Sequence, residues 1–174
     1  MPAYHSNFNE DEFRSLGNMA MLPIRTKFRG PAPTLADPNS EDIVEEALNL
    51  FRANCFFRNF EIKGNADRVL IYLILYISEC LGKLSNQPSK LEANKILQTA
   101  ALSHFALPGE PSFPLNAMYH APTDRGEQDL LRQYLTQLRQ ELATRLLERV
   151  YGNENVPSKW WMCFLKRKFM GKSL

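Results

Sequence analysis

Apolar positions are spaced unevenly along this chain, and their pattern changes near Ser40. Before it, Met19, Met21, Leu22, Ile24 and Phe28 follow neither a helical nor an alternating period. Pro2, Pro23, Pro31, Pro33 and Pro38 each fix one torsion and remove an amide donor. Residues 1–39 are therefore expected to form an extended, irregular arm, packed against other parts because its apolar residues need cover. From Ser40 the period becomes helical. Ile43, Ala47, Leu50, Phe51 and Cys55 recur every three to four residues behind Glu41 and Asp42, acids that suit the positive end of a helix. A helix over about 41–58 follows.

Asn65 is placed as a cap and Asp67 in a first turn, ahead of VLIYLILYISECL from Val69 to Leu81, where only Ser78 and Glu79 are strongly polar. A strand that long would be unusual, so the run predicts a helix over about 65–84, apolar on every side and enclosed by the rest of the fold. Ser89 with Glu92 forms a capping box ahead of Leu91, Ile96, Leu97, Ala100 and Ala101. Pro108, Pro111, Pro114 and Pro122 forbid regular structure over about 106–123, a length typical of a binding element or a packed strap. Asp124 with Glu127 opens the next helix, whose stripe Leu131, Tyr134, Leu135, Leu138, Leu142, Leu146 and Val150 ends at Gly152. Its other face carries Arg132, Arg139, Arg145 and Arg149, read as solvated and braced by Glu141 and Glu148. Pro157, at a first-turn position, opens a last short helix. The expected fold class is all-α: a single domain over 1–174, with the arm (1–39), a helical body (40–174) and one buried central helix surrounded by the others.

The final segment, Pro157 to Leu174, places Trp160, Trp161, Met162, Cys163, Phe164 and Leu165 beside Lys166, Arg167 and Lys168 without a single acid. Adjacent aromatics supply apolar contact area and a basic cluster steers towards an acidic partner. Two readings stand for Trp160 and Trp161: closure of the core, or docking. Charge narrows the remaining classes. A net charge of +2 is too mild to argue for nucleic acid, and 44% apolar content supports a folded core. The longest wholly apolar run, Val69 to Ile77, is nine residues, short of the ~20 that a bilayer span needs, so no membrane insertion is expected. MPAYHSNF at the start lacks a basic-then-apolar leader, which makes the cytoplasm the expected location.

No catalytic constellation is visible. His5, His104 and His120 have no neighbours at ligand spacing, so no metal is expected, and no glycine-rich phosphate loop exists, so neither is a cofactor. Cys55, Cys80 and Cys163 lie inside apolar runs and read as reduced thiols. Cys163 beside Lys166 and Arg167 is the best of three poor nucleophile candidates.

Four strings taken together, GNMAMLPIRTKFRGPAP (Gly17 to Pro33), DRVLIYLILYISECL (Asp67 to Leu81), LPGEPSFPLNAMY (Leu107 to Tyr119) and PSKWWMCFLKRKFMGKSL (Pro157 to Leu174), resemble subunit 3, the 21 kDa subunit, of the actin-related protein 2/3 complex. The resemblance is collinear over nearly the whole chain, and weakest over residues 6–13 and 84–103. It implies a non-catalytic, all-helical subunit of a seven-subunit hetero-oligomer that nucleates a daughter actin filament on the side of a mother filament. The implied partners are the other subunits, chiefly the larger actin-related protein, and the actin filament. The implied location is the actin cytoskeleton. Actin surfaces are acidic overall, which makes Arg25, Lys27, Phe28, Arg29, Trp160, Trp161, Lys166, Arg167 and Lys168 the candidate partner-binding residues: the charges steer and the aromatics hold. The alternative class is a peripheral protein laying its basic, aromatic C-terminal helix on anionic lipid.

Overall fold

A computed structural model describes residues 3–174, and Pro2 of the arm lies outside them. The described chain is mostly helical. Its elements in order are β1 (Ser15–Leu16), β2 (Met19–Ala20), α1 (Ile43–Asn54), α2 (Asn65–Lys83), α3 (Lys90–Leu102), α4 (Arg125–Tyr151) and α5 (Lys159–Met162), with 3-10 turns at Asn7–Glu10 and Phe169–Gly171.

The residues Val69–Ile77 of α2 are each no more than 1% exposed, and α1, α3, α4, β2 and the Asn7–Glu10 turn all pack on this helix. Burial on that scale supplies the main favourable folding term, on the order of 1.5–3 kcal/mol per large side chain. The cap of α2 differs from expectation. Gly64 holds the cap position without a side-chain bond. Asn65 instead donates to Ser15 Oγ (2.8 Å) and accepts from Arg68 Nη1 (2.7 Å), so its amide links helix to arm. Asp67, fully buried, receives the backbone N–H of Ser6 (2.8 Å) and of Lys63 (3.0 Å) and faces His5 Nδ1 at 2.7 Å, which ties the N-terminal segment to the start of α2.

Helix α1 is shorter than the predicted 41–58. Asp42 is its cap, accepting from Glu45 N (2.9 Å), so the helix begins one residue later. At the other end the side chain of buried Asn54 bonds both Tyr4 N (3.0 Å) and Tyr4 O (2.9 Å), and Cys55 closes the last turn. Ser89 and Asp124 cap α3 and α4, through Glu92 N (3.3 Å) and Glu127 N (2.8 Å). Ser158 caps α5, so Pro157 lies one residue ahead of the cap and not in the first turn as expected.

The all-α expectation needs one amendment, because the arm contains an antiparallel hairpin with Ser15 opposite Ala20 and Leu16 opposite Met19. Gly17 takes φ +60°, the sign required at the first central position of a II′ turn, and a Cβ there would collide with the His120 carbonyl oxygen. The turn is anchored twice more, since Asn18 Oδ1 accepts from His120 N (2.8 Å) and Glu127 accepts from Gly17 N.

Beyond the hairpin the arm runs along α4. Tyr134 Oη accepts from Leu22 N (2.7 Å) and donates to Leu22 O (2.9 Å). Gln137 accepts from Ala32 N (2.9 Å) and donates to Phe28 O (3.0 Å), and Arg145 Nη2 donates to Arg25 O (2.6 Å). Positions 134, 137 and 145 fall on one helical face. This stripe supplies the backbone partners that an irregular, proline-broken segment cannot find in itself.

Candidate partner-docking surface

The C-terminal segment folds back on α1. Trp161, 6% exposed, stacks on Phe51 with centroids 6.0 Å apart and planes 13° off parallel, and the Arg52 guanidinium lies 4.8 Å from its centroid. Phe164 meets Phe51 and Phe56 edge-on at 5.9 and 5.7 Å. Phe169 is fully buried against Phe60, and Met170 N donates to Phe57 O (2.9 Å). These contacts make Phe51, Phe60, Trp161 and Phe169 one continuous piece of core.

Trp160 points the other way. It is 68% exposed, with Lys159 Nζ 5.6 Å from its centroid. Phe56 is 56% exposed under the Arg167 guanidinium, at 4.8 Å. Lys166 and Lys168 are exposed and make no ion pair among the described residues. Two large aromatic side chains thus stand in solvent, each beside a cation that makes no ion pair among the described residues. The chemistry there is desolvation area plus positive potential, the combination found at the centre and rim of protein interfaces.

The other predicted cluster divides. Arg25 is half-buried and committed internally: its N–H donates to Asp42 Oδ2 (3.0 Å), its guanidinium to Ser40 O, and its carbonyl accepts from Arg145. Lys27 and Arg29 are exposed, and Phe28 is half-buried. Lys27 and Phe28 line a shallow depression of about 640 Å³ with Glu45, Glu141, Thr144 and Arg145. A second depression, of about 390 Å³, is lined by Leu48, Asn49, Arg52, Arg149 and Trp161. Arg149 bonds both Glu45 and Asn49 (2.8 Å to the latter), so one ion pair separates the two hollows, and both ends of the chain flank the same α1–α4 face.

Below that face lies a buried, two-pronged charge pair. Asp42, fully buried, receives two 2.7 Å bonds from Arg145 as well as the N–H groups of Glu45 and Arg25. Burial pushes its carboxyl up, but these donors outweigh burial and hold it below the usual carboxylate range. Glu46 shows the opposite balance. Burial dominates, one oxygen has no partner, and its carboxyl is raised despite the Asn7 N–H at 3.0 Å.

The arginines of α4 need a correction. Arg139 is 3% exposed, Arg145 and Arg149 are held by α1, and Arg132 by Glu110 (3.1 Å). Glu141 does brace Arg145 (3.1 Å), whereas Glu148 pairs with Lys90 (3.0 Å). An i, i+4 reading sees only partners on the same helix, whereas Arg145 and Arg149 find theirs 103 and 104 residues away. Among the cysteines, burial pushes Cys55 to about 11 and Cys80 to about 12, which makes both inert, while Cys163 is exposed. Among the described residues no group of three or more His, Cys, Asp or Glu could hold a metal, and no helix is long and apolar enough to cross a membrane.

A family model described as P21-Arc, the ARP2/3 complex ARPC3 (21 kDa) subunit, matches residues 1–174. The chain belongs to that family. The subunit is 55% identical over 176 residues to actin-related protein 2/3 complex subunit 3 of Schizosaccharomyces pombe, with both chains covered in full. It is 55% identical over 181 residues to the Saccharomyces cerevisiae subunit 3, again over both full lengths. With the Dictyostelium discoideum subunit 3 it shares 51% identity over 174 residues, 98% of this chain and 99% of the relative. It is a structural subunit of a multi-protein complex and not an enzyme.

Proposed function

We propose that the subunit supports actin filament nucleation and branching from the side of a mother filament, as one of seven subunits, by bridging an actin-related protein to its neighbours and to actin. Support comes from the family and from one observation above all: Trp160 stands in solvent beside Lys159 and Phe56 beside Arg167, whose chain neighbours Lys166 and Lys168 are exposed too. A chain that buries Trp161, Phe51 and Phe169 so completely leaves a tryptophan and a phenylalanine uncovered where a partner covers them. Lys27 and Phe28 flank the α1–α4 face, and exposed Arg29 follows them in the chain, which extends the candidate surface. The charges raise association rate and set orientation, and the aromatics hold the docked state. In this reading the subunit works in the cytoplasm, within the actin cytoskeleton.

The test is the triple change Lys166→Glu, Arg167→Glu and Lys168→Glu in the assembled complex. The exposed positions leave folding within about 1 kcal/mol, so the subunit still incorporates. Branch density per filament falls, and falls most at low ionic strength, where screening is weakest. Equal densities at every salt concentration, with normal incorporation, would refute the proposal.

A further inference from the structure

A separate cleft of about 310 Å³ lies where α2, the C-terminal end of α3, the proline-rich loop and α4 meet, lined among others by Tyr72, Glu79, Phe105, Phe113 and Arg139. Arg139 is 3% exposed, yet no carboxylate lies within ion-pair distance of it among the described residues. Three of its N–H groups are committed: Nε to Ala101 O (3.4 Å), Nη2 to Ala100 O (2.9 Å) and Nη1 to Tyr72 Oη (3.3 Å). The guanidinium also lies 4.3 Å from the ring centroids of Tyr76 and of Phe105. The rest of its donor fork has no acceptor. Glu79 has the complementary deficit, because its Oε2 is buried without any hydrogen-bond partner. A charged group out of water with unmet hydrogen bonds is costly, and buried Arg139 and half-buried Glu79, with needs of opposite kind, line one cleft.

A carboxylate would satisfy Arg139 but be repelled by Glu79, and an ammonium group would do the reverse. A neutral group that accepts on one side and donates on the other answers both. We propose that this cleft binds a primary carboxamide: its C=O accepts from Arg139, its NH₂ donates to Glu79, and the apolar group that carries it lies against Phe105 and Phe113. The carboxamide comes either from an Asn or Gln side chain of a neighbouring subunit or from a small aromatic amide. This site is independent of the actin-facing surface and stands or falls separately from it.

The experiment titrates benzamide, benzoate and benzylamine into the isotopically labelled full-length chain, with circular dichroism reporting that the fold persists. Benzamide shifts the backbone amides of Glu79, Phe105 and Phe113 saturably at millimolar concentration. The two charged probes bind at least about tenfold more weakly, a difference of ~1.4 kcal/mol. The change Glu79→Gln removes the repulsion, so benzoate then binds at least as well as benzamide. Equal binding of all three probes, or an unaltered preference in Glu79→Gln, overturns the proposal. So does the absence of saturable shifts, which marks the cleft as water-filled only. Repeating the benzamide measurement on the assembled complex by saturation transfer separates the sources. Loss of binding there assigns the carboxamide to a neighbouring subunit, and persistence assigns it to a free small molecule.

Discussion

Replacing Arg145 with Met tests the charge pair beneath the α1–α4 face. Methionine keeps the apolar stem and removes the guanidinium, so Asp42, whose side chain is fully buried, loses two 2.7 Å donors and its counter-charge. Breaking one side of a buried ion pair costs about 3–5 kcal/mol. Asp42 keeps the N–H groups of Glu45 and Arg25, and the Arg145 side chain is 17% exposed, so the lower end applies: about 3 kcal/mol out of a total of about 5–15. For a chain of this size that lowers Tm by about 6–12 °C. The dependence on pH differs between the two proteins. The native Asp42 carboxyl is depressed, so its stabilisation is present above the unfolded carboxylate pKa and is lost as pH falls through the folded one. In the variant only the two backbone N–H donors still oppose burial, so the carboxyl lies higher than in the native chain and the folded state loses less on acidification. The stability gap is therefore widest near neutrality and narrows on acidification below pH ~4. Thermal unfolding of both chains between neutral and acidic pH measures this. A gap under ~0.5 kcal/mol, or one that does not change with pH, would mean that the pair is a solvated ornament, and full rescue by Arg145→Lys would refute the bidentate geometry as its cause.

Three further outcomes are expected. Ile74→Asp puts an unpaired charge at the centre of α2 and costs several kcal/mol, enough to abolish folding, and a soluble variant with unchanged melting would disprove its central place. Trp161→Ala costs about 3–5 kcal/mol whereas Trp160→Ala stays within ~0.5, so equal melting shifts for the two would contradict their opposite orientations. Gln137→Ala frees Ala32 N and Phe28 O, so amide exchange at Ala32 rises in the folded chain, and unchanged protection there would show that the arm is held by other means.

Legibility followed the range of the physics. The apolar run at Val69–Ile77 leaves a single local solution, and the side chains of Ser89 and Asp124 cap their own helices within three residues. Information that is not local was hidden. Gln137 and Arg145 look like a helix's outer positions, and Tyr134 like one more member of its apolar stripe, until the arm is laid on them from more than a hundred residues away. A hairpin with two residues per strand is too short to show an alternating period, and Gly17 signals it only through its backbone angle. Trp160 and Trp161 are indistinguishable by composition. Which one is buried depends on where Phe51 stands, a fact of α1 and not of the C-terminal segment.

The rail that α4 provides has a consequence in time. Leu22 waits for Tyr134, which follows it by 112 residues, and no nearer segment offers the same pair of bonds. On a ribosome adding about 5–20 residues per second, the arm emerges roughly 6–22 s before the helix that will hold it. Through that interval Leu16, Met19, Leu22 and Ile24, all nearly inaccessible in the finished subunit, stand uncovered at the front of the nascent chain. A segment made well before α4 is thus among the last to be secured, and its exposure is set by the pace of synthesis.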